Sequence, residues 1–325
     1  MPTAVTPIRW DAHSCLPLLS GIDMGVLRRH RQSGFDFVSI NVGMDMNPLD
    51  QVMKTIAWFR HWLGRHPDEF LQVETVADVK AAKAAGKLAV AFDLEGSRML
   101  LEDVAMVDVY RDLGVRQMHL VYNRNNSVGG GCHDENIGLS AYGRAVVRAI
   151  NKAGILMDCS HGGERTTLDI MEASEKPVIF SHANARTLVD HQRNVTDRQI
   201  DACAATGGVI GVNGIRLFLD AADGCAEPMA RHIDYMVQRV GPDHVGIGLD
   251  ISFDLGVDDH PASEDRGFWW PASGRYSRAG VESAGPEVLP EIEQLLRKRG
   301  YDDAAINKIF GLNFVRVAEA TWRSQ

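Results

Sequence analysis

Short apolar runs alternate with helix-forming stretches almost from one end of this chain to the other, and that alternation leaves few folds open. The runs are Ile8–His13, Phe37–Asn41, Leu88–Leu94, Gln117–Tyr122, Ile155–Ser160, Val178–His182, Val209–Asn213 and Val245–Asp250. They are short, rich in Val, Ile, Leu and Phe, and bounded by Gly, Pro or polar residues, which is how strands buried on both faces read. Between them, Leu49–Leu63 carries Val52, Ile56, Phe59 and Leu63 at helical spacing. Tyr142–Ala153 places Ala145, Val146, Ile150 and Ala153 on one stripe before the stop at Gly154. Thr166–Ala173, Asp197–Ala204 and Met229–Val240 repeat the pattern, and two C-terminal helices, Glu287–Arg299 and Asp303–Trp322, close the chain. Such alternation means parallel βαβ units, in an open doubly wound sheet or a closed barrel. About eight strand candidates favour the (β/α)8 TIM barrel. The 325 residues, 45% of them hydrophobic, suffice for a core of that size. No internal repeat stands out, and a single domain over residues 1–325 is expected.

Composition narrows the function. A formal net charge of −9, with no Lys/Arg-rich block, argues against a nucleic-acid surface, which needs a basic stripe to release counterions. Met1–Trp10 has neither a basic nor an apolar leader segment, and no run is long enough to span a bilayer. The five cysteines (Cys15, Cys132, Cys159, Cys203 and Cys225) are odd in number and widely spaced, which suits a reducing cytoplasm better than a disulfide framework. One long irregular stretch, Ser252–Pro286, holds Phe268, Trp269 and Trp270. Following the last strand, it either closes over a barrel mouth or packs its tryptophans against the body.

The informative residues stand at strand ends. His13 and Cys15 belong to the first run, Glu95 follows Leu88–Leu94, His161 follows Ile155–Ser160, His182 ends Val178–His182 and Asp250 ends Val245–Asp250. In a (β/α)8 barrel the C-terminal strand ends converge on one mouth, where catalytic groups from several strands meet. Imidazole, carboxylate and thiolate are the ligand set of zinc or a similar divalent ion. Any one of these histidines could instead be a hydrogen-bonded core residue; five such candidates on one chain point to a metal centre.

Four segments resemble the membrane (renal) dipeptidase family of metallopeptidases, an amidohydrolase-like branch of the barrels. They are Ile155-Leu-Met-Asp-Cys-Ser-His161, Pro177-Val-Ile-Phe-Ser-His182, Arg193-Asn194-Val195, and His244-Val-Gly-Ile-Gly-Leu-Asp250 with Phe253-Asp254. Asp93-Leu-Glu-Gly96 is similar to the family's bridging-glutamate motif, and Gly311-Leu-Asn313 with Arg316 and Glu319 adds support. The resemblance implies a binuclear zinc hydrolase that cleaves dipeptides, with two ions per chain. His13 and Cys15 would hold one ion, His161 and His182 the other, and Glu95 would bridge them. A hydroxide bridging the metals would attack the carbonyl carbon. Asp250, itself at the metal site, would orient that hydroxide and shuttle its proton to the leaving amine. Arg193 would grip the substrate's carboxylate with its planar guanidinium; on residue type alone it could equally be a salt-bridged surface arginine.

Two departures from the family pattern bear on substrate and metal. Where the family has an aspartate two positions after its first histidine, this chain has Cys15, a softer ligand that shifts preference away from manganese or magnesium. Alternatively Cys15 is an inert thiol and one metal position is weak. Where the family places a carbonyl-polarising histidine, the matching residue is Tyr122, whose phenol can donate to a developing oxyanion. His133, within Gly129-Gly-Gly-Cys-His133, is a second candidate to reach the site, from what reads as a mobile turn, and Arg98 stands near a position where the family tends to have a histidine. The expected activity is hydrolysis of a dipeptide or small N-acyl amino acid. The alternatives are a non-peptide amide or lactone as substrate, or a metal-poor barrel used for binding. Homodimers are common for such barrels, although nothing in the sequence marks an interface.

Overall fold

The computed structural model describes residues 7–277 and 281–323; the first six residues of the Met1–Trp10 segment lie outside that range. Ten strands form one parallel sheet: β1 (Trp10–Cys15), β2 (Phe37–Met44), β3 (Phe70–Gln72), β4 (Leu88–Glu95), β5 (Val115–His119), β6 (Leu156–Asp158), β7 (Val178–Phe180), β8 (Val209–Val212), β9 (Val245–Ile247) and β10 (Ile251–Ser252). The order β10-β1-β2-β4-β5-β6-β7-β8-β9 runs round a ring. β9 and β10 are one barrel strand interrupted at residues 248–250, and β10 closes the ring on β1 through Ser14↔Ile251 and Cys15↔Ser252. The eight expected strands are therefore all present, in a (β/α)8 barrel with helices around it.

The differences from expectation have local causes. Phe70–Gln72, too short to register as an apolar run, pairs with the first half of β4 at Leu88–Val90, below the point where β5 joins at Phe92. The helices Val76–Ala84 and Met106–Asp112 also carry too few large apolar residues to announce themselves. The expected helix Asp303–Trp322 is broken: a π turn, Lys308–Leu312, separates Asp303–Asn307 from Asn313–Thr321, with the kink at Gly311 packed on the Ile8 carbonyl.

Two apolar layers hold the barrel. The outer faces of the strands meet the helices in one cluster that includes Val38, Ile40, Phe59, Phe92, Val146 and Ile233. A second fills the lower barrel, where Trp10, Phe37, Leu156 and Ile179 meet Phe314, Val317 and Trp322 of the C-terminal helix. Trp10 stacks on Phe37 with ring centroids 3.5 Å apart. The floor is thus plugged, and the polar groups are confined to the opposite mouth.

The register of β1 against β2 shifts between Asp11 and Ser14. Such a bulge re-aims a side chain: Trp10 and Ala12 lie in the floor cluster while the His13 ring faces the mouth. Asp11 pins the seam, since its carboxylate accepts from the Leu249 backbone (2.8 Å) and the Ser14 hydroxyl (2.7 Å) and pairs with His30 (2.8 Å). Gly129–Gly131 is a packed element rather than a mobile turn. All three glycines are buried, and a Cβ on Gly131 would stand 2.3 Å from the Asn123 carbonyl carbon.

Candidate functional site

The mouth gathers side chains from five strand ends. His13 and Cys15 project from β1, Glu95 ends β4, His161 and His182 follow β6 and β7, and Asp250 sits in the β9–β10 break. His161 (φ 67°) and Asp250 (φ 53°) both adopt left-handed backbone, as does Asn123 (φ 57°). For non-glycine residues that conformation costs on the order of 1 kcal/mol and clusters at functional sites.

Glu95 Oε1 is the centre of the group. It lies 2.9 Å from His161 Nε2, 3.4 Å from His13 Nε2 and 3.5 Å from His182 Nε2. None of these contacts has hydrogen-bond alignment, and Oε1 is buried without a hydrogen-bond partner. His161 Nε2 and His182 Nε2 approach to 3.0 Å, and Cys15 Sγ stands 3.4 Å from His13 Nε2. Asp250 spans the group, with Oδ1 3.7 Å from His13 Nε2 and Oδ2 3.9 Å from His182 Nε2. The donor atoms of His13, Cys15 and Asp250, and those of His13, Glu95 and His182, each fall within 4.8 Å of one another.

Each imidazole is turned inward by a partner on its other nitrogen. His161 Nδ1 donates to Asn123 Oδ1 (2.7 Å), His182 Nδ1 bonds Ser181 Oγ (2.7 Å), and His13 Nδ1 faces Asp93 Oδ1 at 3.2 Å. This is the second layer that metal-binding histidines ordinarily have. Tetrahedral zinc with bonds of ~2.0–2.3 Å sets N···N and N···S separations of roughly 3.3–3.6 Å. The observed spacings fit divalent ions on both sides of Glu95, and an orphaned buried carboxylate oxygen among three ring nitrogens is what such ions would satisfy.

Burial pushes the Glu95 carboxyl up to about 7 against the pull of His13 and His119, and pushes the Cys15 thiol up to about 12. Burial also holds His161 and His182 well below the usual imidazole range, with Arg193 and His13 adding to it, so both offer neutral Nε2 lone pairs. His13 resists the same burial because Asp93, Cys15 and Glu95 raise it.

The rim carries the remaining candidates. The buried Tyr122 ring lies 4.4 Å, centroid to centroid, from that of His161. Asp45 accepts from the backbone of Ser97, Arg98 and Tyr122 and from Asn126 Nδ2, tying the loops after β2, β4 and β5 together. Arg193 is 4% exposed, so it is not a surface arginine. Its Nη2 donates to the His182 carbonyl at 3.3 Å, its Nε has no partner, and its guanidinium lies over the Phe218 ring. His133 bonds Gln192 Oε1 (2.7 Å) and the Tyr276 hydroxyl (2.8 Å) next to Arg193 rather than reaching the cluster. Arg98 instead lies over the Trp269 ring. The long segment after β10 does both things expected of it. Trp269 is buried against Tyr122 and Met46, its carbonyl accepts from Asn123 Nδ2, and residues 259–276 lie over loops of the mouth.

Sequence reasoning missed Asp93, Asn123, Ser181 and Asn213, whose Nδ2 holds Asp250 Oδ2 at 2.7 Å. Asn213 ends one of the apolar runs, so the strand-end rule applied evenly would have found it. Also missed was the pair His119–Asp158, fully buried beneath the cluster at 2.9 Å. Tyr276 gave no signal in the sequence.

Residues 19–265 match the membrane dipeptidase family (Peptidase family M19). The chain is 35% identical over 255 residues to an uncharacterized dipeptidase of Schizosaccharomyces pombe, covering 75% of this chain and 55% of that one. It is 30% identical over 296 residues to dipeptidase verJ of Clonostachys rogersoniana, covering 90% and 69%. The chain therefore spans between about half and two thirds of the length of these relatives. Among solved structures, an amidohydrolase from Pseudomonas aeruginosa superposes with a TM-score of 0.87 at 26% identity, covering 97% of each chain. Similarity over three quarters of the chain, on this barrel and with this cluster at its mouth, makes the chain a member of the membrane dipeptidase family, peptidase family M19.

Proposed function

We propose that this chain is a metal-dependent hydrolase of small peptide or amide bonds, dipeptidase-like, acting in the cytoplasm as a single-domain barrel. The observation that carries the reading is the convergence of His13, Cys15, Glu95, His161 and His182 on one buried carboxylate oxygen, with Asp250 and Arg193 on the rim. His13, Cys15 and Glu95 would hold one ion and Glu95, His161 and His182 a second, with Asp250 beside both. Bound there, two zinc ions would acidify water and polarise a carbonyl.

The chain's own groups would do the rest. Arg193 offers a buried, largely unsatisfied guanidinium to the substrate's carboxylate and so fixes which end of a dipeptide enters first. Asp250, oriented through Oδ2 by Asn213, is free at Oδ1 to take a proton from the attacking water and return it to the leaving amine. Tyr122 is placed to donate to the developing oxyanion, and Trp269 beside it excludes bulk water. Among the described residues no helix is long and apolar enough to cross a membrane, and all five cysteines are free, which supports the cytoplasmic reading.

Elemental analysis tests this first. About two zinc ions per chain, with turnover of a dipeptide panel that a chelator abolishes, is the expected result. No metal after zinc loading would end the hydrolase reading and leave a binding barrel. Tyr122 favours a second reading, a non-peptide amide or lactone as substrate. If Tyr122→His creates dipeptidase activity where there was none, that second reading holds.

A further inference from the structure

The cluster is not symmetrical about Glu95, and the asymmetry comes from Cys15. On the β6–β7 side the ligand atoms are two imidazole nitrogens, 3.0 Å apart. On the β1 side they are one imidazole nitrogen and one sulfur, 3.4 Å apart. A tetrahedral zinc bound through sulfur at ~2.3 Å and nitrogen at ~2.0 Å needs these atoms roughly 3.6 Å apart, so coordination requires an adjustment of only a few tenths of an ångström.

The buried thiols elsewhere behave differently. Cys203 Sγ is spent on the Val178 carbonyl at 3.2 Å, and Cys159 lies in the apolar layer between strands and helices. Cys15 instead faces His13 Nε2, and Asp250 completes the same trio. A sulfur filling space does not need an imidazole and a carboxylate around it.

Resting on the reading of the mouth as a metal centre, we propose that Cys15 makes the two positions chemically unequal. The His13–Cys15 position is a thiolate site that selects a thiophilic ion such as zinc, cadmium or cobalt(II). The His161–His182 position remains a nitrogen–oxygen site open to a wider range of ions. On binding, the Cys15 S–H bond breaks, its proton leaves to solvent, and the sulfur lone pair forms the metal bond, with no change of oxidation state. Thiolate and carboxylate carry the same charge, so a cysteine keeps the electrostatic balance of the site. It differs in being soft and in offering a single donor atom.

Cobalt(II) reports this directly, because a thiolate bound to cobalt gives a charge-transfer band in the near ultraviolet that nitrogen and oxygen ligands do not. Metal-free protein is titrated with cobalt while bound ion is counted by elemental analysis. The expected result is the band in the native chain and in Cys132→Ser, the other thiol near the mouth, and its loss in Cys15→Ser and Cys15→Asp. Cys15→Asp should also raise the affinity for manganese relative to zinc by about tenfold or more. Circular dichroism of each variant separates loss of the band from loss of the fold. Two cobalt ions bound without the band, or a band that survives in a folded Cys15→Ser, overturns the thiolate site and leaves the metal centre standing. Failure to bind cobalt at all overturns both.

Discussion

Replacing Arg193 by methionine should make the protein no less stable while removing its grip on substrate. The guanidinium is 4% exposed, makes a single 3.3 Å bond to the His182 carbonyl and leaves Nε unpartnered. Among the described residues no carboxylate lies within ion-pair distance of it. Replacing a buried charge with a well-packed apolar side chain of similar volume is often neutral or stabilising by ~1–4 kcal/mol. Against that stand the lost hydrogen bond, about 1 kcal/mol, and the cation–π contact with Phe218, about 0.5–2 kcal/mol. The net expectation is roughly 0–2 kcal/mol in favour of the variant. With unfolding entropy near 2.1 cal/mol/K per residue, about 0.7 kcal/mol/K for the whole chain, Tm should rise by about 0–3 °C. Loss of two charge-assisted bonds to a substrate carboxylate, at ~1.5–3 kcal/mol each, should lower kcat/KM about 10²–10⁴-fold. Calorimetry with and without a dipeptide or product amino acid reads both effects, since ligand should raise Tm only for the native chain. A variant that melts several degrees lower while keeping KM would mean that Arg193 is a satisfied structural arginine, and the reasoning would fail.

Asp250→Asn should keep the fold and metal content and lose about 10²–10⁴-fold in turnover; near-native rates would remove Asp250 from the mechanism. Asn123→Leu strips the acceptor from His161 Nδ1, and should weaken one metal position about 10–100-fold in chelator competition while leaving the other intact. Gly211→Ala would set a Cβ 2.0 Å from the Ser181 carbonyl oxygen, so denaturant unfolding should show a loss of about 1–3 kcal/mol or more. Burial tends to raise the Asp158 carboxyl, but His119 and its hydrogen-bond donors hold it down to about 2. A depressed folded-state value contributes stability above the ordinary carboxylate range and loses it as pH falls towards 2. Asp158→Asn should therefore flatten the stability profile below about pH 5, measured by denaturant midpoints across that range.

The fold was legible because each barrel strand is buried on both faces, and continuous apolar runs such as Val209–Val212 have no other economical reading. The ligands were legible for a related reason. Glu95, His161 and His182 are polar residues that break an apolar run where it leaves the barrel. What stayed hidden acts sideways, between strands. Asp93 looks like an ordinary polar residue within β4 until β1 brings His13 beside it. His119 and Asp158 become partners only because β5 and β6 are neighbours in register. Arg193 was misjudged on type because nothing local signals that Phe218 and the His182 carbonyl will enclose it.

The seam between β1 and the two residues of β10 has a consequence for how the protein is made. His13 and Asp250 stand on opposite sides of that seam, and the Asp250 amide donates to the His13 carbonyl at 2.9 Å. A nascent chain on the ribosome can therefore wind seven strands and still lack a working site, because the first ligands wait for a partner encoded some 240 residues later. Chain truncation anywhere before Ile251 leaves an unclosed sheet with an unmatched edge at β1, open to pairing with other chains. Hydrolysis is thereby coupled to completed synthesis: a half-made copy has no competent centre to release into the cell.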